Sequence, residues 1–239
     1  MHHTTEAIVL QHYPYKDNGA VVKLYSRQMG LVSCWTPSIH KKSSRTKVNL
    51  LQPLSIVNAE ISDKENNSLL QLKEIESAVQ TPGIILNIEK SSIAIFLAEL
   101  LLKVLKESST DESLYEFIRD SIVMLDKTTH KCANFHILFI ITLSDHIGIL
   151  PKGNYATGKS YFNLQDGVYQ TSAPMHPHFL NPSESQWLSM LSSYSMNDFY
   201  KPEIPAIERR LLLRGLLEYL ELHLAITPLK SHLVLEEVF

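Results

Sequence analysis

Ala20-Val21-Val22-Lys23-Leu24-Tyr25-Ser26, then Arg27-Gln28-Met29-Gly30, then Leu31-Val32-Ser33-Cys34-Trp35-Thr36: two apolar runs meet at a glycine turn, and this decides the fold class. Short runs rich in Val, Leu and aromatic residues, partly alternating with polar ones, read as half-buried strands. Three more such runs surround the pair. Thr5–Gln11 precedes it across an Asp17-Asn18-Gly19 turn, and Leu54–Ser62 and Leu69–Glu76 follow it, separated by the polar tip Asp63-Lys64-Glu65-Asn66-Asn67. Five strands in about seventy residues predict a small OB-type barrel, a fold whose loops and one face commonly bind single strands. An SH3-like barrel has a similar strand count, and periodicity does not separate the two.

After Thr81-Pro82-Gly83 the period changes from two to that of a helix. Ile93, Phe96, Leu97, Leu100, Leu101 and Val104 recur on one face. Ser109-Thr110-Asp111-Glu112 has a capping-box pattern that opens a second helix through Leu114, Phe117, Ile118 and Leu125. Residues 132–147 read as a helix apolar nearly all round, hence central in a bundle. Asn181-Pro182-Ser183-Glu184 supplies a cap, a first-position proline and a reciprocal glutamate for another helix. A last long helix is expected from about Pro205 to Leu224, with Leu213, Leu216, Leu217, Leu220 and Leu224 as its core stripe. Between these helices, glycines and prolines punctuate Lys159–Leu164 and Val168–Gln170 about a Gln165-Asp166-Gly167 turn, which reads as an inserted hairpin. The chain is therefore expected to be α+β. A five-stranded OB barrel over residues 1–80 precedes an α-helical domain over 81–239, with the hairpin at about 151–175.

Charge is unevenly spread. The whole chain carries −3, but residues 1–58 hold seven basic residues against Glu6 and Asp17, or +5, which leaves −8 for the rest. Most of that excess sits in His40-Lys41-Lys42-Ser43-Ser44-Arg45-Thr46-Lys47, between the third and fourth strands. A cationic loop on such a barrel points to a polyanion partner, with a solvated surface loop as the plain alternative. Lys41, Lys42, Arg45 and Lys47 are the first candidates for phosphate contacts, and Lys16, Lys23 and Arg27 would extend the track. Tyr13, Tyr15, Tyr25 and Trp35 are candidates for base stacking, although strand aromatics more often pack. Arg209, Arg210 and Arg214 on the last helix form either helix-surface pairs, Arg214 with Glu218, or a basic rim for an acidic partner.

Catalytic and metal chemistry find little support. There is no P-loop, G-x-S-x-G or HExxH pattern, and Ser144-Asp145-His146 places triad residue types at adjacent positions that cannot form a spatial relay. The eleven histidines are scattered, and Cys34 and Cys132 stand far apart with no CxxC. Two isolated cysteines fit a reducing compartment. With no signal-peptide pattern after Met1-His2-His3 and no span-length apolar run, the chain is expected to be soluble and cytoplasmic, with no membrane partner.

Four features in order resemble the RecO family of bacterial recombination mediators and DNA repair proteins. Thr5-Glu6-Ala7-Ile8-Val9-Leu10, Tyr15–Val22 and Leu24–Leu31 are similar to its opening strands and Thr-Arg-x-x-Gly turn. The basic loop followed by Leu51-Gln52-Pro53-Leu54 matches its order, and the last helix with Pro228-Leu229-Lys230-Ser231 resembles its closing segment. Two departures stand out. Many members carry four zinc-binding cysteines in the hairpin region, where this chain has none and only His176 and His178 lie near. Thr36-Pro37-Ser38-Ile39 stands where the family often has Lys-Gly, so the first loop base is not carried over.

The resemblance implies no cofactor, binding of single- and double-stranded DNA, and annealing of complementary strands. It also implies loading of RecA onto strands coated by SSB, with RecR and the acidic C-terminal tail of SSB as partners and a nucleoid-associated location. A protein-interaction adaptor of the repair machinery with little DNA binding is the alternative. A hydrolase or transferase built from dispersed histidines is the remote one.

Overall fold

The structure, a computed structural model, describes residues 2–15, 19–37, 48–62, 70–106, 109–153, 155 and 160–239. Contacts divide it into two compact units, Met1–Lys127 and Thr128–Phe239. In the first, β1 (His2–Tyr15), β2 (Gly19–Ser26), β3 (Gly30–Thr36), β4 (Ile56–Ser62) and β5 (Leu70–Val79) close into a barrel in the order β1-β2-β3-β5-β4. Only the β3–β5 contact is parallel, through Cys34↔Leu70 and Trp35↔Gln71. This is the five-stranded OB arrangement, so topology settles what periodicity left open.

Alternation along the strands sends Ala7, Val9, Ala20, Val22, Leu24, Val32, Cys34, Val57, Ala59, Ile61, Leu72 and Ile75 into one interior cluster, with Leu51 of a 3-10 turn (Val48–Leu51) among them. The strands are longer than the sequence suggests at β1 and β5. Leu54 lies outside β4, because its backbone takes a left-handed φ of 63° while its N–H donates to the Val9 carbonyl at 2.7 Å. Gly30 turns β2 into β3 at a φ of 67°, and a Cβ there would lie 2.4 Å from the Ser109 carbonyl oxygen. Glycine is therefore required twice over at this turn.

Three helices complete the first unit: α1 (Pro82–Leu86), α2 (Ile88–Val104) and α3 (Glu112–Lys127). The box expected at Ser109 is replaced by a single cap, in which the Asp111 carboxylate accepts from Leu114 N–H at 3.0 Å. Lys90, buried on α2, donates to the Asp126 carbonyl at the end of α3, and Asp126 Oδ1 accepts from Ile84 N–H of α1 at 3.0 Å. One lysine and one aspartate thus tie the three helices together.

The second unit is built round α4 (Phe135–His146), whose residues Phe135–Leu143 are all buried except Thr142. It also contains α5 (Pro182–Leu191), α6 (Ala206–Leu224) and α7 (His232–Val238). The Asn181 box forms as its spacing predicts: Oδ1 accepts from Ser183 and Glu184 N–H, and Glu184 Oε2 accepts from Asn181 N–H at 2.8 Å. The hairpin β6 (Tyr161–Asn163)–β7 (Val168–Gln170) gains a third strand, β8 (Phe179–Leu180), that residue patterning does not reveal. Asn163 holds its turn, with Oδ1 accepting from Gln165 and Asp166 N–H and Nδ2 donating to Asp166 Oδ2 at 2.7 Å. Among the described residues, no helix is long and apolar enough to cross a membrane.

Candidate nucleic-acid interface

Antiparallel register places directly opposed residues on the same face of a sheet. On the outside of the barrel this produces unlike halves. Across β1, β4 and β5 run Thr4–Glu60–Glu74 and Glu6–Asn58–Glu76, two rows rich in carboxylates, with Lys73 beside His2 as the nearby base. Across β1, β2 and β3 run Gln11–Lys23–Ser33 and Tyr13–Val21–Trp35, rows with one cation and two aromatics and no acid. Among the described residues, the first pair of rows carries negative charge outward and the second pair carries none.

The second half is open only at one end. Towards the β2–β3 turn, Tyr25 is buried under Tyr115 of α3, with ring centroids 5.7 Å apart. Burial and the Asp111 charge push its hydroxyl up to about 12. The stacking role weighed for Tyr25 is thus met inside the protein. Tyr13, at the other end, is 42% exposed, whereas Tyr15 and Trp35 are half-buried. Trp35 reaches over Gly19, where an added Cβ would lie 3.1 Å from its Nε1. The turn pattern marks Gly19 as a bend, but the register shows that its missing side chain also makes the seat of the indole.

Arg27, expected to lie on the phosphate track, faces α3. Its guanidinium pairs with Glu116, stands 3.9 Å from Glu112 and lies 5.5 Å from the Tyr115 ring centroid. Arg119 adds a second clamp, donating to Glu6 Oε1 at 2.9 Å, with the Tyr115 hydroxyl on the same oxygen at 3.3 Å. Lys23 is half-buried in its outer row. Lys16, Lys41, Lys42, Arg45 and Lys47 fall outside the described residues. The strands leading to them end together, since Tyr15 is opposite Gly19, and Ala20 is opposite Thr36.

In the second unit the three arginines of α6 have separate fates. Arg209 is half-buried and donates to the Ile204 and Phe239 carbonyls at 3.2 and 2.9 Å. Arg214 pairs through two hydrogen bonds with Glu236 of α7, at 2.8 and 2.7 Å. The partner expected for it, Glu218, instead meets His178 Nδ1 at 2.5 Å. Arg210 is exposed. Ser144 is buried and its hydroxyl donates to the Ile140 carbonyl, so it is turned into its own helix. A cavity of about 470 Å³ in this unit is lined by Lys131, Asn134, Tyr200, Glu203 and Arg209 among others. Cys34 is inside the barrel, where burial pushes its thiol up to about 12, and Cys132 is buried in the second unit.

Comparison with known proteins agrees with this architecture. The family model for the N-terminal region of recombination protein O matches residues 1–87, and that for its C-terminal region matches residues 85–233. The DNA repair protein RecO of Azobacteroides pseudotrichonymphae is 31% identical over 240 residues, covering all of both chains. Those of Phocaeicola vulgatus and Bacteroides fragilis are each 30% identical, over 236 and 237 residues, covering 98% of each chain. Matches that run through both units, on a chain whose barrel has the OB order, establish that it belongs to the RecO family of DNA repair proteins.

Proposed function

We propose that this chain is a non-enzymatic recombination mediator. It binds single- and double-stranded DNA, anneals complementary strands and, with RecR, loads RecA onto SSB-coated strands in the bacterial cytoplasm, at the nucleoid. The observation that carries the reading is full-length family membership joined to a barrel with two outer rows, Gln11–Lys23–Ser33 and Tyr13–Val21–Trp35, that hold a cation and two aromatics and no acid. Lys16, Lys41, Lys42, Arg45 and Lys47 serve as phosphate contacts, with Lys23 extending them, and neutralise the repulsion between strands while leaving bases available to pair. Tyr13 and Tyr15 stand beside that track. Arg27 joins it only by leaving the carboxylates of α3. The acidic tail of SSB is met on α6 near Arg209, Arg210 and Arg214, with Arg210 as its first contact, because the other two already donate to protein oxygens.

The test is a fluorescence annealing assay with complementary oligonucleotides, bare and SSB-coated, with and without RecR. Acceleration that declines with added salt is the expected result. A chain that binds RecR or SSB but neither binds nor anneals DNA is an adaptor, and that outcome overturns the mediator reading.

A further inference from the structure

Helix α2 buries Ile93, Phe96, Leu97, Leu100 and Leu101, as a helix with one apolar face does. Its opposite side carries a second stripe, Ile88, Ser91 and Ile95, at the i, i+3, i+7 spacing of a single face. Ile88 is 72% exposed and Ile95 48%, and at the corner between α1 and α2, Ile85 and Leu86 are 64% and 85% exposed. Between this stripe and the loop at residues 52–55 lies a groove of about 330 Å³, lined by Pro53, Ile84 and Ala94 among others. We propose that this face binds a second copy of the chain, in a two-fold dimer whose α2 helices cross antiparallel at Ser91. Ile88 of each copy then packs on Ile95 of the other, and the Ile85–Leu86 corner of each fills the other's groove.

Area, charge and shape choose this occupant. The four exposed side chains leave about 500 Å² of apolar surface open, as much as the largest patch on an ordinary monomer. Two copies joined through them bury about 1,000 Å², the size at which a specific but reversible interface begins. The stripe and the residues lining the groove are uncharged, so an identical face meets no repulsion, while a strongly acidic or basic partner finds no counter-charge there. The same face holds both a projecting corner and a groove, which a two-fold axis brings together twice. At the crossing point Ser91 is small, and its hydroxyl already donates to the Ile88 carbonyl at 3.1 Å. The helices can therefore approach closely without stranding a polar group. Dimerisation through this face does not depend on DNA binding.

The test is the mass of the full chain by sedimentation equilibrium, from well below to well above about 10 μM, the order of Kd expected of so small an interface. The average mass should rise from 27.2 kDa towards twice that value. Ile88→Glu and Ile95→Lys, each at an exposed position, should separately hold the chain at the monomer mass with its circular dichroism unchanged. Mixing the two variants should restore the dimer, because antiparallel crossing sets the new carboxylate of one against the new ammonium of the other. An unaltered chain that stays monomeric throughout, or a dimer that survives either substitution, overturns the proposal. Loss of the dimer in both variants without recovery on mixing overturns the antiparallel pairing.

Discussion

His136 lies on α4, 2% exposed, beside the apolar run Ile137–Ile141. Burial first, and then the Arg209 charge, pull it down to about 3 from its ordinary 6.5, so it is neutral in the folded protein. The sign of the pH effect follows. Well above 6.5 neither state binds the proton, whereas between 6.5 and 3 the unfolded chain takes it up and the folded chain does not. Stability is therefore lost as pH falls through that window. For this group the loss between about pH 7 and pH 5 is about 2 kcal/mol. His136→Gln should reduce the acid loss by that amount in urea unfolding at the two pH values, whatever its stability at neutral pH. Arg27 offers a second residue-scale test. Because it is committed to Glu116 and Tyr115, Arg27→Ala should lower stability by about 1 kcal/mol and leave the salt dependence of DNA binding nearly unchanged. A shallower salt slope in this variant would show that it touches phosphate. The sequence marks Arg27 as a notable base but gives no sign of the carboxylates on α3, which are distant in the chain and become neighbours only through tertiary packing.

Elements were legible wherever a local rule sufficed. The Asn181 box needs only its own four residues, and it forms. The Ser109 pattern obeys the same rule but loses to Asp111, whose carboxylate is one residue before the helix. β8 has two residues and no alternation, so only its pairing with β6 defines it. α6 ends at Leu224 as its sequence predicts, but the cap itself was not legible: the chain turns at Ala225 with a φ of 52°, where a side chain costs energy and glycine does not. Ala225→Gly is thus expected to raise the unfolding free energy by about 1 kcal/mol. A lower midpoint in denaturant would contradict that account of the cap.

At the scale of the whole molecule, composition conceals the feature that matters. A net charge of −3 argues against a nucleic-acid partner, and only the division into +5 and −8 exposes it. The barrel repeats that division in space, with carboxylates across β4 and β5 and none in the rows of β2 that carry Lys23 and Val21. Strand count and turn glycines made the barrel legible. Its OB order was not, because that depends on the parallel meeting of β3 with β5. The outer aromatics were half-legible: they could be named, but the packing of α3 decides that Tyr115 covers Tyr25. On the proposed function, this barrel captures DNA through its basic loop. Anisotropy titrations of a labelled single strand over a range of salt, with the unaltered chain and a variant carrying Lys41, Lys42, Arg45 and Lys47 all changed to Ala, decide it. Affinity should fall with salt, and the variant should bind more weakly with a log–log slope shallower by about 3. An unchanged slope and affinity in the variant would contradict it.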